Sequence, residues 1–189
     1  SARTAAETAV IHCDSDMCFV RGLPLEAVVP GGRPRFFATS LDRLPDGHCA
    51  WAQQAAALLG ADLPGDFRRT YIENAIVWSV AGARSMAERI ESRTGRPLHE
   101  VLTGEATISE YYLYGVHLDL VAGVDGVAPR AFPLCKSLWS NDLPAQGDVA
   151  RLAAGMRPEQ AAVALQSTHP ISLERRMALY AEFERHLAA

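Results

Sequence analysis

A short apolar run ending in two carboxylates limits most sharply how this chain can fold. In "AVIHCDSDMCFV", Ala9 to Val20, the segment "AVIHC" reads as a short buried strand, apolar and partly β-branched. A strand that ends in Asp14 and Asp16 puts both at the carboxyl edge of a sheet, where ligands bind in open α/β folds. Oxygen donors at i and i+2 can approach one hard cation, which takes several oxygen ligands. Such a cation can neutralise a diphosphate leaving group. The same pair can also simply close a polar turn, and D-x-D alone leaves both readings open.

The rest of the chain alternates strand and helix signals. Ala2 to Ala9 reads as the end of a helix, and "CFVRGL" as a second short strand. Pro24 to Gly47 is loop and edge material, rich in Pro and Gly, with "FFAT" as a strand inside. His48 to Gly60, "HCAWAQQAAALLG", is a helix with Gly60 as its C-cap. "RTYIENAIVWS" holds a buried strand at Ala75–Trp78. Ala81–Thr94 is an amphipathic helix stopped by Gly95, and Pro97–Leu102 a further short helix.

Ser109 to Leu120, "SEYYLYGVHLDL", is a helix opened by Ser109 as N-cap, and Gly123 to Pro133 is loop. "QGDVARLAAG" is a helix ended by Gly155, and Ser172–Leu187 a final amphipathic helix. "PEQAAVALQS" between them fits helix or buried strand. The mixture predicts an α/β class.

At 189 residues the chain fits a single domain, 1–189, with a real core. The formal net charge is −4 and no Lys/Arg cluster occurs, which argues against a nucleic-acid surface. Cys13, Cys18, Cys49 and Cys135 form no C-x-x-C pair, and no His lies near them at zinc spacing. They read as buried thiols of a reducing compartment, giving a cytoplasmic expectation. No apolar run has membrane-spanning length, and "SARTAAETAV" lacks the long apolar stretch of a signal peptide.

Two further stretches carry candidate chemistry. In "SEYYLYG", Ser109–Gly115, Glu110 sits in the favourable dipole of a helix N-terminus. Facing a cleft, it can bind a sugar hydroxyl or act as a base; otherwise the segment is a capped helix with an aromatic face. In "LQSTHP", Leu165–Pro170, His169 can complete a carboxylate metal site if it meets Asp14 and Asp16, since imidazole suits cations such as manganese. Asn74, before a buried strand, can contact substrate, as can Ser109, Tyr111 and Gln166. Trp139, with Asn141 and Asp142 in "LWSND", can line a sugar site. Trp78 reads as core, and His48 as a residue opening a helix.

The order "DSDMCFVRGL", "HCAWAQQAAALLG", "YIENAIVWS", "TISEYYLYG", "ALQS" resembles a poorly characterised, glycosyltransferase-like family of bacterial proteins. Its members carry DSD-x-x-F-x-R and a later SEYELYG. The resemblance covers about Ala9 to Ser167, with Tyr112 where the family has Glu.

The resemblance implies a GT-A-like mixed sheet flanked by helices. Asp14 and Asp16 would hold Mn2+ or Mg2+ on the diphosphate of a nucleotide-sugar donor. His169 would be a C-terminal metal ligand, and Glu110 an acceptor-side base or sugar-hydroxyl ligand. The partners would be that donor and a carbohydrate acceptor, in surface polysaccharide or glycoconjugate synthesis.

Such folds place on the order of a hundred residues before D-x-D, whereas little precedes it here. The resemblance then implies either the C-terminal portion of such an enzyme or a member without the usual nucleotide half. The sheet edge beside Ala9–Cys13 would need covering by a second copy or a separate N-terminal segment.

Two other readings compete. A haloacid-dehalogenase-like phosphatase also ends a buried strand in D-x-D, with Asp14 as nucleophile and Asp16 as acid/base. Lys136 and Asp142 would take the later roles there, but Met17 and Cys18 stand where Thr or Val usually follows. The third reading is a non-catalytic domain that binds a partner or a carbohydrate.

Overall fold

The computed structural model describes residues 8–105, 107–138, 148–167 and 170–188. The chain forms two compact units. Unit 1 takes residues up to Val10, Val29–Ile72 and Val77–Phe132; unit 2 takes Ile11–Val28, Glu73–Ile76 and Pro133–Ala189. The class is α/β, as the alternating signals predict.

The chain opens with β1 (Ala9–Cys13), β2 (Met17–Phe19) and a short helix, α1 (Leu25–Val28). After a 3-10 turn come β3 (Arg35–Phe37) and β4 (Thr39–Ser40). Helix α2 (Asp46–Leu59) ends on Gly60, which adopts φ 58°. The left-handed conformation suits a residue without Cβ.

Next are β5 (Arg69–Thr70), β6 (Ala75–Ser79), α3 (Val80–Thr94) and α4 (Leu98–Gly104). The side chain of Ser79 caps α3 by accepting from the Gly82 N–H, and Gly95 closes it at φ 65°. Helix α5 (Glu110–His117) runs on as a π-helical segment over Leu118–Ala122. Then come β7 (Ala128–Arg130), β8 (Cys135–Leu138), α6 (Asp148–Ala154), β9 (Ala162–Leu165) and α7 (Leu173–Ala188).

The sheets are small. β1 pairs with β6, so that flank of Ala9–Cys13 is covered from within the chain. In unit 2 the order is β2-β9-β8, with β2 antiparallel and β8 parallel to β9. The ambiguous "AAVALQS" is therefore a strand, and all four residues of β9 are buried. A strand with neighbours on both sides reads as a continuous apolar run, which alone does not separate it from buried helix.

In unit 1, β3 pairs in parallel with β7, setting Phe36 against Pro129. This corrects the loop expected over Gly123–Pro133. Proline has no N–H for a ladder, so Pro129 hides a strand that tolerates it only because the sheet has two members.

Unit 1 builds its core where α2, α3 and α5 bury Ala52, Leu59, Ile90, Leu113 and three tyrosines, Tyr71, Tyr112 and Tyr114. Unit 2 packs Val163 and Leu165 of β9 against Leu179, Tyr180 and Phe183 of α7. The expected burial of all four thiols is corrected: Cys135 is buried, Cys18 and Cys49 are half-buried, and Cys13 is exposed; all are free. Cys13 ends β1 beside the polar turn, where one side of the strand meets solvent.

Candidate functional site

The register of unit 2 assembles the D-x-D segment. Met17 lies opposite Ala164, so Asp16 falls opposite Leu165 as the antiparallel pair continues. The Leu165 N–H donates to the Asp16 carbonyl at 3.1 Å, and the Tyr180 hydroxyl donates to the same oxygen at 2.7 Å. Two residues beyond β9, the Ser167 N–H donates to the Asp16 carboxylate at 2.7 Å. The end of β9 thus fixes both the backbone and the side chain of Asp16.

Asp14 is held from another side. The Asn74 amide Nδ2 donates to its carboxylate at 2.8 Å, and the Asp14 N–H donates to the Asn74 carbonyl at 2.9 Å. The amide oxygen of Asn74 accepts from the Ser137 hydroxyl on β8. Asn74 is buried, so Ser137 and Asn74 form a relay that sets the direction of Asp14. Asp14 and Asp16 are both half-buried, with exposed Ser15 between them.

The field around this segment is negative. Cys135, fully buried at the start of β8, has its thiol pushed up to about 12. Burial is the first cause, and the charge of Glu73 the second; Asp14 and Asp16 add to it. Glu73 is itself buried, and its carboxylate accepts from the Leu134 N–H just before β8.

Gln166 is half-buried, and its carbonyl accepts from Arg176 of α7 at 3.3 Å. Arg176 also donates to the Leu165 carbonyl. The helix therefore braces the turn that carries Ser167.

Asp14, Asp16, Asn74 and Gln166 are thus brought to one locality of unit 2. His169 and Trp139 lie outside the described residues. Among the described residues no group of three or more His, Cys, Asp or Glu gathers to hold a metal. Two oxygen ligands from Asp14 and Asp16 suit a hard cation that also binds a diphosphate, because the phosphates supply further oxygens.

The "SEYYLYG" helix belongs to unit 1 and is mostly scaffold. Ser109 is buried and caps α5, its hydroxyl accepting from the Tyr112 N–H at 3.5 Å. The Tyr112 hydroxyl lies 3.1 Å from His48 Nδ1 and donates to the Arg69 carbonyl at 3.3 Å. Tyr114 stacks on Trp78 at 4.8 Å and accepts from the Ser79 N–H at 2.7 Å. Gly115 packs under the Tyr71 ring. Glu110 is exposed on the first turn, and Tyr111 is half-buried.

These tyrosines make stability pH-dependent. Burial raises the Tyr114 phenol to about 12, partly offset by the Ser79 N–H. Tyr71 and Tyr112 are raised as well, first by burial. The folded chain keeps protons that the unfolded chain releases near pH 10. This stabilisation is complete below about pH 10 and is lost as pH climbs toward 12. For Tyr114 alone the loss is on the order of 3 kcal/mol. Urea unfolding at about pH 8 and about pH 11.5, beside the tyrosinate absorbance, is expected to show it.

Sequence reasoning did not single out Glu73, Ser137, Ser167 or Tyr180. Ser137 gave one clue, a polar Lys-Ser pair set between apolar residues ("LCKSLW"). Ser167 acts through its backbone, which no residue type announces.

A family model matches residues 2–183, and the chain belongs to that family, DUF6492, a family of unknown function. Comparison with curated proteins finds no match.

Proposed function

We propose that this DUF6492 member is a metal-dependent glycosyltransferase-like protein of GT-A type that transfers a sugar from a nucleotide-sugar donor. The observation that carries the reading is the anchoring of Asp14 and Asp16. Each carboxylate at the end of β1 is oriented by its own donor, the Asn74 amide for one and the Ser167 N–H for the other. A polar turn needs no such relay, whereas metal-ligating carboxylates are commonly hydrogen-bonded in this way.

A divalent cation held there would stabilise negative charge on the departing diphosphate. Asp14 and Asp16 bind and orient; Asn74, with Ser137 behind it, keeps the Asp14 carboxylate aimed. Asn74 is thereby recast as a positioning residue, since both ends of its amide engage protein groups. His169 remains the proposed third protein ligand; Glu110, exposed on the first turn of α5 in unit 1, remains a proposed sugar-hydroxyl ligand. Trp139 and Gln166 remain proposed substrate contacts, as does Tyr111 on unit 1; Ser109 does not, because it is buried with its hydroxyl engaged in capping α5.

Calorimetric titration with UDP and GDP, with and without manganese, tests the reading. Saturable nucleotide binding that requires the metal is expected. Neither nucleotide binding in the presence of manganese would sink it and favour the non-catalytic reading. Trapping of a phosphate mimic on Asp14 would favour the phosphatase instead.

A further inference from the structure

Unit 1 contains a second polar centre, built on the π-helical segment after α5. A π-helical turn costs hydrogen-bond geometry and recurs at functional positions. Here it carries Asp119, whose side chain is only 7% exposed. One carboxylate oxygen pairs with Arg69, and the other accepts from the Tyr71 hydroxyl at 2.5 Å. Arg69 is 50% exposed, so the pair has a buried acid and an open base.

Two clefts share this pair as a wall. One, of about 390 Å3, is lined by Ser40, Asp66, Phe67, Arg68, Arg69 and Asp119 among others. The other, of about 330 Å3, meets the pair through a more apolar face that includes Phe36, Val124 and Pro129. Both volumes fall in the range of small-molecule sites, about 300–1,000 Å3.

The chemistry of the larger cleft selects a class of ligand. Its two acids and two bases balance, so it offers little net attraction to a strong anion. A carboxylate has about four lone-pair positions and a guanidinium five N–H donors. Asp119 therefore keeps acceptor capacity beyond Tyr71 and Arg69, and Arg69 keeps donors beyond Asp119. Adjacent acceptors and donors match vicinal hydroxyls, each of which donates and accepts. Phe67 adds an aromatic surface for the C–H face of a ring.

We propose that this cleft binds a neutral sugar ring, with Asp119 accepting from and Arg69 donating to adjacent hydroxyls. The residues lining the cleft all belong to unit 1, and the proposal does not depend on the transferase reading.

The test is amide NMR titration of the whole chain with methyl glycosides of glucose, galactose, mannose and N-acetylglucosamine. It is run in EDTA without nucleotide, so its outcome is independent of metal or nucleotide binding. At least one glycoside is expected to shift the Arg68, Arg69, Asp119 and Leu120 amides saturably. Asp119→Asn is expected to weaken that binding by roughly tenfold or more, the scale of a lost hydrogen bond to a charge. Because Asp119 also braces Tyr71, Arg68→Ala serves as a second variant. Arg68 is exposed, so its loss is expected to weaken binding roughly threefold with an unchanged melting temperature.

The proposal is overturned if no glycoside moves these amides at tens of millimolar. It is also overturned if inorganic phosphate moves them at lower concentration than any glycoside, which would make this an anion site. Unchanged affinity in both variants would overturn it too.

Discussion

Replacing Gly115 with alanine is expected to cost about 3 kcal/mol or more, at the upper end of what overpacking a core costs. A Cβ there would lie 2.2 Å from the nearest Tyr71 ring carbon, with two more at 2.3 and 2.5 Å. Real non-bonded carbons do not approach so closely, so either the ring or α5 must move.

The ring has no retreat. Tyr71 is fully buried, its hydroxyl is tied to Asp119, and its ring lies against Phe36 at 5.9 Å and Tyr112 at 5.5 Å. Gly82→Ala provides the contrast. There the nearest atoms stand 3.2 Å away, at the ends of the Leu118 and Tyr114 side chains, and the cost is expected near 1 kcal/mol. Urea denaturation of both variants ranks them. A Gly115→Ala protein as stable as the parent would mean that α5 does not pack on Tyr71 as described.

The second large effect concerns binding. Asp14→Ala is expected to lower manganese-dependent nucleotide affinity by roughly a hundredfold or more, because a metal ligand is lost outright. Asn74→Ala keeps the ligand but removes the donor that aims it, and the expected loss is about tenfold, the low end for outer-shell partners. Asn74→Ala also leaves the Ser137 hydroxyl without its acceptor, so thermal melting is measured on each variant. Equal nucleotide affinity in the parent and Asp14→Ala would remove the metal-site reading. Equal losses in both variants at unchanged melting temperature would show that Asn74 does more than orient its neighbour.

Much of the local structure was legible in the residues. The apolar stretch "AVIHC" is β1 to the residue, but it is not the buried strand expected: none of its five residues is buried, and Val10, His12 and Cys13 are exposed. Gly60 and Gly95 stop α2 and α3 where a left-handed residue is needed. Ser109 caps α5 as its hydroxyl allows.

The illegible parts share a cause. β7 is masked by Pro129, and β9 by an apolar run with no period; each is settled by the strand beside it rather than by its own composition. The candidate site divides in the same way. Asp14 and Asp16 announce themselves by type and spacing. Ser137 lies more than 120 residues further along the chain and joins them only through pairing.

The "SEYYLYG" segment illustrates the division within one motif. Its specificity in the sequence drew attention to chemistry, with Glu110 as the candidate. In the fold its other residues answer to packing: a cap at Ser109, hydroxyl anchors at Tyr112 and Tyr114, and a ring seat at Gly115. A segment can be specific because its neighbours leave no room for substitution, and no single sequence separates that cause from catalysis.

What the sequence by itself determined is a set of local decisions: the longer helices, the glycines that stop α2 and α3, the cap at Ser109, and that two carboxylates close the first strand. Backbone propensity and capping act over a few residues, so those residues carry the information. What only the tertiary structure decided is partnership. The β2–β9 register brings the Ser167 N–H to Asp16, and the Asn74–Ser137 relay aims Asp14. A π-helical turn puts Asp119 between Tyr71 and Arg69. Each is a contact between segments distant along the chain, and it exists only once the cores of the two units have fixed their strands and helices in place.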